Sequence, residues 1–161
     1  MRPSELPFVD EHATVISAEP DRVWAALLAT VDQTFSQPAA AAYARLVGCR
    51  PPSPSGPRPL AEGSTVPGFA VTTAVPGSLL VLEGGHRFSA YALVVRLEPD
   101  GRGGTRLRAE TDAAFPGVAG GTYRALVIGT RGHVLGMRRL LAAVRRRAEA
   151  GPDAHSETGR A

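Results

Sequence analysis

The chain changes its hydrophobic period once, and this change limits the folds that it can adopt. From Gly63 to Phe115 apolar and polar side chains alternate in runs that glycine and proline interrupt. A period of two is typical of antiparallel β-strands with one buried face. From Val118 to Glu149 the apolar residues recur at steps of three or four. That spacing predicts one long helix of about 30 residues, or roughly 45 Å.

The residues before the sheet region predict one strand and two short helices. Glu11–Ala18 alternates with β-branched side chains, as strands do. A helix begins at Glu19-Pro20-Asp21, because proline is tolerated in the first turn and acidic residues stabilise the positive end of the helix dipole. Pro38 ends this helix, and Ala39–Val47 predicts a second one. Five prolines between residues 50 and 59 predict a semi-rigid loop, with a docking motif for a partner as the alternative.

Turn residues divide the sheet region into a meander of short and long strands. Glycine and proline mark the turns because they supply backbone conformations that strands do not use. The predicted turns are Pro76-Gly77, Gly84-Gly85 and Pro99-Asp100-Gly101. The predicted strands are Ser64–Val66, Phe69–Val75, Leu79–Glu83, His86–Glu98 and Thr105–Phe115.

Length and composition are those of one globular domain. We assign residues 9–150 to this domain, residues 1–8 to a lead-in and residues 151–161 to a disordered tail. The single cysteine excludes an intramolecular disulfide. All 18 basic residues are arginine, which excludes mechanisms that need a lysine, such as Schiff-base chemistry and P-loop nucleotide hydrolysis. The sequence contains no apolar run of membrane-spanning length and no signal-peptide pattern, so we expect a cytoplasmic protein.

Positive charge is concentrated in one segment of the chain. Residues 124–147 contain seven arginines and no acidic residue, while the rest of the chain is slightly acidic. An arginine recurs every seven residues on one helix face, at Arg124, Arg131, Arg138 and Arg145. This face is either solvated or docks an anionic partner. We expect no nucleic acid as partner, because aromatic residues are few and no groove-reading module is present.

The order of elements resembles a known superfamily. The segment Glu19-Pro20-Asp21-Arg22-Val23-Trp24 after a strand, the Pro76-Gly77 turn with its following strands, and one long terminal helix are similar to the START-like, or SRPBCC, superfamily. That superfamily includes polyketide cyclases and dehydratases, lipid-transfer domains and pollen-allergen-type ligand carriers. The likeness covers residues 9–149. The short, proline-bearing second strand departs from the pattern and leaves the number of strands open.

This resemblance implies an α+β helix-grip fold. A curved antiparallel sheet would wrap around the long C-terminal helix, with two short helices after the first strand. It also implies an apolar cavity between the sheet and the helix. With such a cavity, we expect the protein to bind a small hydrophobic or amphipathic molecule.

One stripe of the long helix is expected to face this cavity, and it contains Leu126, Gly129, His133 and Gly136. Each glycine costs about 1 kcal/mol relative to alanine inside a helix. Either the helix packs tightly on the sheet there, or the missing side chains leave room for a ligand. His133 is the acid–base candidate because imidazole titrates near neutral pH. A hydrogen-bonded core histidine is the alternative.

Arg87 and Tyr91 are predicted to share the concave side of the sheet. Both lie on the long strand at the same parity as an apolar series. Arg87 would bind a carboxylate, phosphate or enolate oxygen, or it would form a structural ion pair with Glu83. Tyr123, at the start of the long helix, indicates either an anion site or packing against the sheet.

Three functions are compatible with these patterns. The first is binding of a small apolar or amphipathic ligand, with Arg87 and Tyr91 orienting its polar end. The second is a cyclase or dehydratase, in which Arg87 or Tyr91 polarises an enolisable ketone and His133 moves the proton. The third is a regulatory module that docks an acidic partner. The residues expected to line the cavity are Leu93, Val95, Leu107, Ala109, Thr111, Phe115, Leu126, Gly129 and His133.

No metal and no other cofactor are predicted. The four histidines have no ligand-like spacing, and the sequence contains no nucleophile elbow. A homodimer is compatible with the sequence but is not predicted.

Overall fold

The computed structural model describes residues 5–127 and 131–151 of the chain. Its strands and helices are largely segregated along the chain, as in the predicted α+β class. In chain order they are β1 (Phe8–Ile16), α1 (Pro20–Phe35), α2 (Pro38–Val47), β2 (Thr65–Val66), β3 (Phe69–Val75), β4 (Leu79–His86), β5 (Ser89–Pro99), β6 (Thr105–Ala114), α3 (Gly117–Val127) and α4 (Gly132–Glu149).

These strands form one antiparallel sheet in the order β1-β6-β5-β4-β3-β2. The two-residue strand β2 lies at one edge, where the adjacent proline removes no interior ladder bond. Across β1, β6 and β5 the register aligns Asp10 with Thr111 and Leu93. The next row on the same face aligns His12 with Ala109 and Val95. Polar residues of the first strand therefore lie beside the apolar inner face of the sheet.

The hydrophobic core lies between this inner face, α1 and α4. Val23, Leu27 and Val31 recur every four residues along α1 and are buried. Leu140 and Val144 present the matching face of α4. Helices that bury one apolar stripe against a sheet form the layered core typical of α+β proteins.

Two hydrogen bonds connect the start of the chain with the end of α4. The Ser17 backbone N–H donates to Glu149 Oε1 at 3.0 Å. The Arg22 guanidinium donates to the Ala148 carbonyl at 2.9 Å. The contact between α1 and α4 is therefore fixed at its end as well as along its apolar stripe.

The C-terminal helical segment is divided, which corrects the prediction of one helix from Val118 to Glu149. Arg131 precedes α4 with φ at 58°, in the left-handed region. A residue in that region cannot continue a right-handed helix. The local sequence Gly129-Thr130-Arg131-Gly132 contains three weak helix formers, which favours a break there. The long helix of this fold is α4, with 18 residues.

The turn between β4 and β5 lies three residues later than predicted. Gly84 and Gly85 belong to β4 and pair with Tyr91 and Ala90. The chain turns at Arg87 and Phe88 instead. Two adjacent glycines are typical of a turn. Here Gly84 lies on a strand, and a glycine is required because the backbone of Gly68 leaves no room for a side chain.

The arginine face is divided together with the helix. Arg145 binds Glu149 within α4 at 3.1 Å, and Arg147 donates to Thr30 and Gln33 of α1 at 3.3 and 3.0 Å. Arg138 and Arg146 are exposed. Part of the charge therefore stabilises the packing of α4, and docking of an acidic partner stays a prediction.

The proline-rich loop is held against the rest of the molecule. Arg50 pairs with Gly85 and Ser55 pairs with Thr65 as isolated β-bridges. Arg58 Nε lies 2.9 Å from Asp32 Oδ2. These contacts favour the semi-rigid loop over an extended docking motif.

At the ends of the chain, the Pro7 carbonyl already accepts a hydrogen bond from the Ala113 N–H at 2.9 Å. Residues 1–4 of the predicted lead-in and residues 152–161 of the predicted tail lie outside the described residues. Within residues 5–127 and 131–151, no helix is both long and apolar enough to cross a bilayer.

Candidate functional site: an apolar cavity with a histidine–aspartate wall

A cavity of about 400 Å³ lies between the inner sheet face, α2 and the first half of α4. Its wall is almost entirely apolar, with phenylalanines from α1, β3 and the end of β6. The ring of Phe69 on β3 contacts Phe35 of α1 and Tyr91 of β5, with centroid distances of 4.8 and 5.0 Å. Such aromatic contacts give the wall a defined shape.

Some of the predicted lining residues line the cavity, and others lie elsewhere. Leu93, Thr111, Phe115 and His133 line the cavity, and so does Tyr91. Contrary to prediction, Val95, Leu107 and Ala109 do not: they are fully buried in the core, further along the sheet. All three have the predicted parity, but the helices pack directly on that part of the sheet. Leu126 lies on α3 with 64% of its surface exposed, which is also contrary to prediction. Gly129 lies outside the described residues.

His133 is held in the cavity wall by a carboxylate. Its Nε2 lies 3.1 Å from Asp10 Oδ1. The other oxygen of Asp10 lies 3.0 Å from His12 Nε2. All three side chains are mostly buried, with 17–24% of each exposed. One carboxylate thus bridges two imidazoles, one from the edge strand and one from α4.

Sequence reasoning missed Asp10 because the residue lies before the predicted first strand. The structure begins β1 at Phe8 and has a register irregularity between Phe8 and Asp10. Asp10 and His12 have the same parity and face inward together. The spacing Asp-x-His on a strand was the available signal, but its partner lies 123 residues away.

Arg87 does not face the cavity, which corrects its predicted position. It is exposed at the β4–β5 turn and lies 5.9 Å from the centroid of the Phe88 ring. Among the described residues no ion pair joins it to Glu83. Because Arg87 lies in the turn itself and not on β5, it cannot orient a ligand's polar end from inside the cavity.

Tyr91 contributes its ring to the wall, while its hydroxyl is bound inside the protein. The hydroxyl donates to the Gly68 carbonyl at 2.9 Å and lies 3.5 Å from Cys49 Sγ. Burial, and then contact with Cys49, raises the pKa of Tyr91 far above its ordinary value. Tyr91 therefore remains a neutral phenol that fixes the β2–β3 turn against the sheet.

His86 forms a second polar group at the cavity. Its Nδ1 accepts a hydrogen bond from the Phe88 N–H at 3.1 Å, and its Nε2 lies 3.2 Å from Ser89 Oγ. Acceptance at Nδ1 places the proton of the neutral ring on Nε2. Burial lowers the pKa of His86. The ring also contacts Tyr123 at 4.6 Å.

Tyr123 packs against the sheet rather than framing an anion site. Its ring contacts Phe88 and Phe115 as well as His86. Its hydroxyl forms a hydrogen bond with the hydroxyl of Tyr43 on α2. Burial, followed by this hydrogen bond, raises the pKa of Tyr123. The pair therefore joins α3 to α2 at the rim of the cavity.

Gly136 resolves the question about the helix glycines at one position. It lines the cavity, and a Cβ at this residue would meet no atom within 4 Å. Tight packing on the sheet would have produced close contacts there. Gly136 is itself exposed, so its missing side chain leaves open space where the cavity meets the surface.

No cluster of three or more metal-binding side chains was found among residues 5–127 and 131–151. The Asp10 carboxylate is instead bonded to the two imidazoles. The chemistry that the wall offers is hydrogen bonding and proton transfer at imidazole.

The fold matches solved structures over most of its length. Ara h 8.0201 superposes with a TM-score of 0.57 at 10% identity, covering 88% of this chain and 97% of that one. CalU16 from Micromonospora echinospora gives 0.54 at 18% identity, covering 89% and 76%. The Polyketide_cyc-like protein Cgl2372 from Corynebacterium glutamicum gives 0.51 at 16% identity, covering 93% and 96%.

The chain has the α+β helix-grip fold. This confirms the fold that the order of elements predicted. No protein-family model matches the sequence, and neither does any curated protein sequence. At these low identities the likeness concerns the helix-grip fold alone.

Replacing His86 with glutamine is expected to reduce the loss of stability on acidification. Burial lowers the pKa of His86 in the folded protein, so the unfolded chain takes up the proton first as the pH falls below the ordinary value of 6.5. Its contribution is thus present above that value and lost below it. Urea unfolding at pH 7.5 and 5.5 measures the effect. Equal losses in wild type and variant would contradict this role.

Proposed function

We propose that this protein binds a small hydrophobic or amphipathic molecule in the cavity between the sheet and α4. The observation that carries the proposal is the cavity itself, at about 400 Å³ with an almost wholly apolar wall. Ligand sites in proteins span roughly 300–1,000 Å³ and combine apolar walls with few polar groups. A few polar side chains interrupt this wall, among them Tyr91, His86 and His133.

Packing physics supports the same conclusion. Protein interiors are close-packed and rarely contain voids larger than a water molecule. An empty apolar cavity removes van der Waals contacts from the side chains that line it and so destabilises the fold. Gly136 enlarges the space at a helix position where alanine would be more stable. A bound apolar molecule would restore these contacts.

Binding is testable through Cys49, the only cysteine of the chain, which lies in the cavity wall. The neutral probe N-phenyl-1-naphthylamine is expected to fluoresce more strongly with the protein. At saturation it should slow the reaction of Cys49 with iodoacetamide at least fivefold, because it covers the thiol. A Cys49→Ser variant should bind the probe without reacting. Fluorescence gain with unchanged labelling would place the probe elsewhere and contradict the proposal.

A second candidate function is proton transfer of the cyclase or dehydratase type. The observation that favours it is the contact of Asp10 with His133, which lines the cavity, since an imidazole oriented by a carboxylate is a common general base. In this reaction His133 would remove the proton from the carbon beside a ketone. Arg87 is too exposed to polarise that ketone from within the cavity.

This activity can be measured as hydrogen–deuterium exchange of 2-tetralone in D₂O by NMR. We expect exchange above the buffer rate, reduced about 100-fold by His133→Gln, as is typical for loss of a general base. Exchange at the buffer rate in wild type, with intact probe binding, would leave the protein as a carrier without catalysis.

A further inference from the structure

The polar groups at the cavity differ in whether their hydrogen-bonding capacity is already used. His86 bonds Phe88 and Ser89, and Tyr91 donates to Gly68. These groups are satisfied inside the protein. The hydroxyl of Thr111 is different, because Oγ1 is buried and forms no hydrogen bond in the described part of the chain.

The position of Thr111 makes this unsatisfied hydroxyl informative. The residue lines the cavity, with 9% of its surface exposed. A buried polar group without a partner is destabilising, and native structures contain few of them. A rotation of about 120° about its Cα–Cβ bond moves Oγ1 to another staggered position, so the hydroxyl can turn toward the space that the side chain lines.

His133 also has a free hydrogen-bonding position. The two carboxylate oxygens of Asp10 accept one hydrogen bond each, from His133 and from His12. A neutral His133 ring therefore donates to Asp10 through Nε2–H. Its Nδ1 is then an acceptor, and no hydrogen bond of the described residues uses it. Asp10 acts here as a positioning residue that sets the tautomer of His133.

Strand register brings these two groups to the same end of the cavity. Asp10 and Thr111 are directly opposite partners on β1 and β6. Side chains of such partners lie on one face with Cβ atoms about 5 Å apart. Because Asp10 also contacts His133, the threonine and the imidazole flank one carboxylate.

We propose that Thr111 and His133 form a subsite for a hydroxyl group, so that the ligand is an apolar molecule bearing an alcohol or a phenol. The ligand hydroxyl would donate to His133 Nδ1 and accept from the Thr111 hydroxyl. Both free positions are then satisfied by one group. This inference rests on the proposed binding function and adds the chemical class of the ligand.

A carboxylate fits this subsite less well than a hydroxyl. It has no hydrogen to donate to Nδ1, and the Asp10 carboxylate bonded to the same imidazole would repel it. A hydrocarbon leaves both positions unsatisfied. The subsite thus selects among molecules of equal size by one polar group.

The test compares 1-naphthol, 1-methylnaphthalene and 1-naphthoate at pH 7.5, by displacement of N-phenyl-1-naphthylamine. The quantity compared between variants is the dissociation constant of 1-methylnaphthalene divided by that of 1-naphthol. An effect of a substitution that weakens both ligands equally does not change this ratio. We expect Thr111→Val, which keeps the side-chain shape, to lower this ratio about fivefold or more. The matched control Thr14→Val lies outside the cavity on β1 and should leave it unchanged.

An unchanged ratio in Thr111→Val, or binding of 1-naphthoate as tight as that of 1-naphthol, would overturn the subsite while the cavity still binds the probe. Failure of every compound, with Cys49 labelling unaffected, would overturn the proposed function as well. A second readout uses wild type only. In ¹⁵N NMR, added 1-naphthol should shift His133 Nδ1 upfield and leave Nε2 nearly unmoved; shifts at neither nitrogen would count against the subsite.

Discussion

Gly136→Leu is expected to abolish binding of N-phenyl-1-naphthylamine without destabilising the fold. A leucine side chain here extends into open cavity space, since even its Cβ meets no atom within 4 Å. It would occupy the volume that a ligand needs. The free energy of unfolding should stay equal or rise by up to about 1 kcal/mol, because leucine favours the helix more than glycine does.

Gly121→Leu is the matched control for this variant. Gly121 lies on α3, has no atom within 4 Å of a Cβ position, and does not line the cavity. It should gain similar helix stability and retain binding. Full probe affinity and full Cys49 protection in Gly136→Leu would show that the probe occupies another site.

Gly84→Ala is expected to destabilise the protein by about 3 kcal/mol, as severe overpacking does. A Cβ at Gly84 would lie 1.9 Å from the Gly68 carbonyl oxygen and 2.8 Å from the Tyr91 ring. Backbone has to move to accept it. The same carbonyl accepts the Tyr91 hydroxyl, so the wall of the cavity would be distorted and ligand affinity would fall.

Urea unfolding measures this effect, with Gly85→Ala as the neighbouring control. At Gly85 the nearest contact of a Cβ is the Ser89 carbonyl oxygen at 3.3 Å, which a small shift relieves. We expect a loss well below that of Gly84→Ala. Similar losses in both variants would mean that strand β4 is sensitive to any side chain, and not to the approach of Gly68.

Element order was predictable because it depends on local periodicity. The alternation along Thr105–Phe115 and the four-residue steps of α1 identify strand and helix without knowledge of the partners. The element boundaries that were predicted wrongly depend on contacts between residues distant in sequence. Gly84 was assigned to a turn, but the Gly68 backbone lies where its side chain would be.

The cavity was predictable only in part, for a related reason. Parity identifies the inner face of β5 and β6 but not which stretch of it a helix covers, so Val95 and Leu107 were placed in the cavity when they belong to the core. The carboxylate partner of His133 could not be found by spacing, because Asp10 and His133 meet through the pairing of the first strand with the last helix.

The contact between Asp10 and His133 makes the acid–base properties of the cavity wall depend on the completion of folding. Contacts between Asp10 and His133, and between Arg22 and Ala148, join residues more than 120 positions apart. Loop closure over such distances is entropically costly, and chains rich in such contacts fold slowly. On a ribosome, the N-terminal strand would emerge long before its partner is synthesised. The wall therefore acquires its acid–base character only when the last helix docks, so partly folded chains lack it.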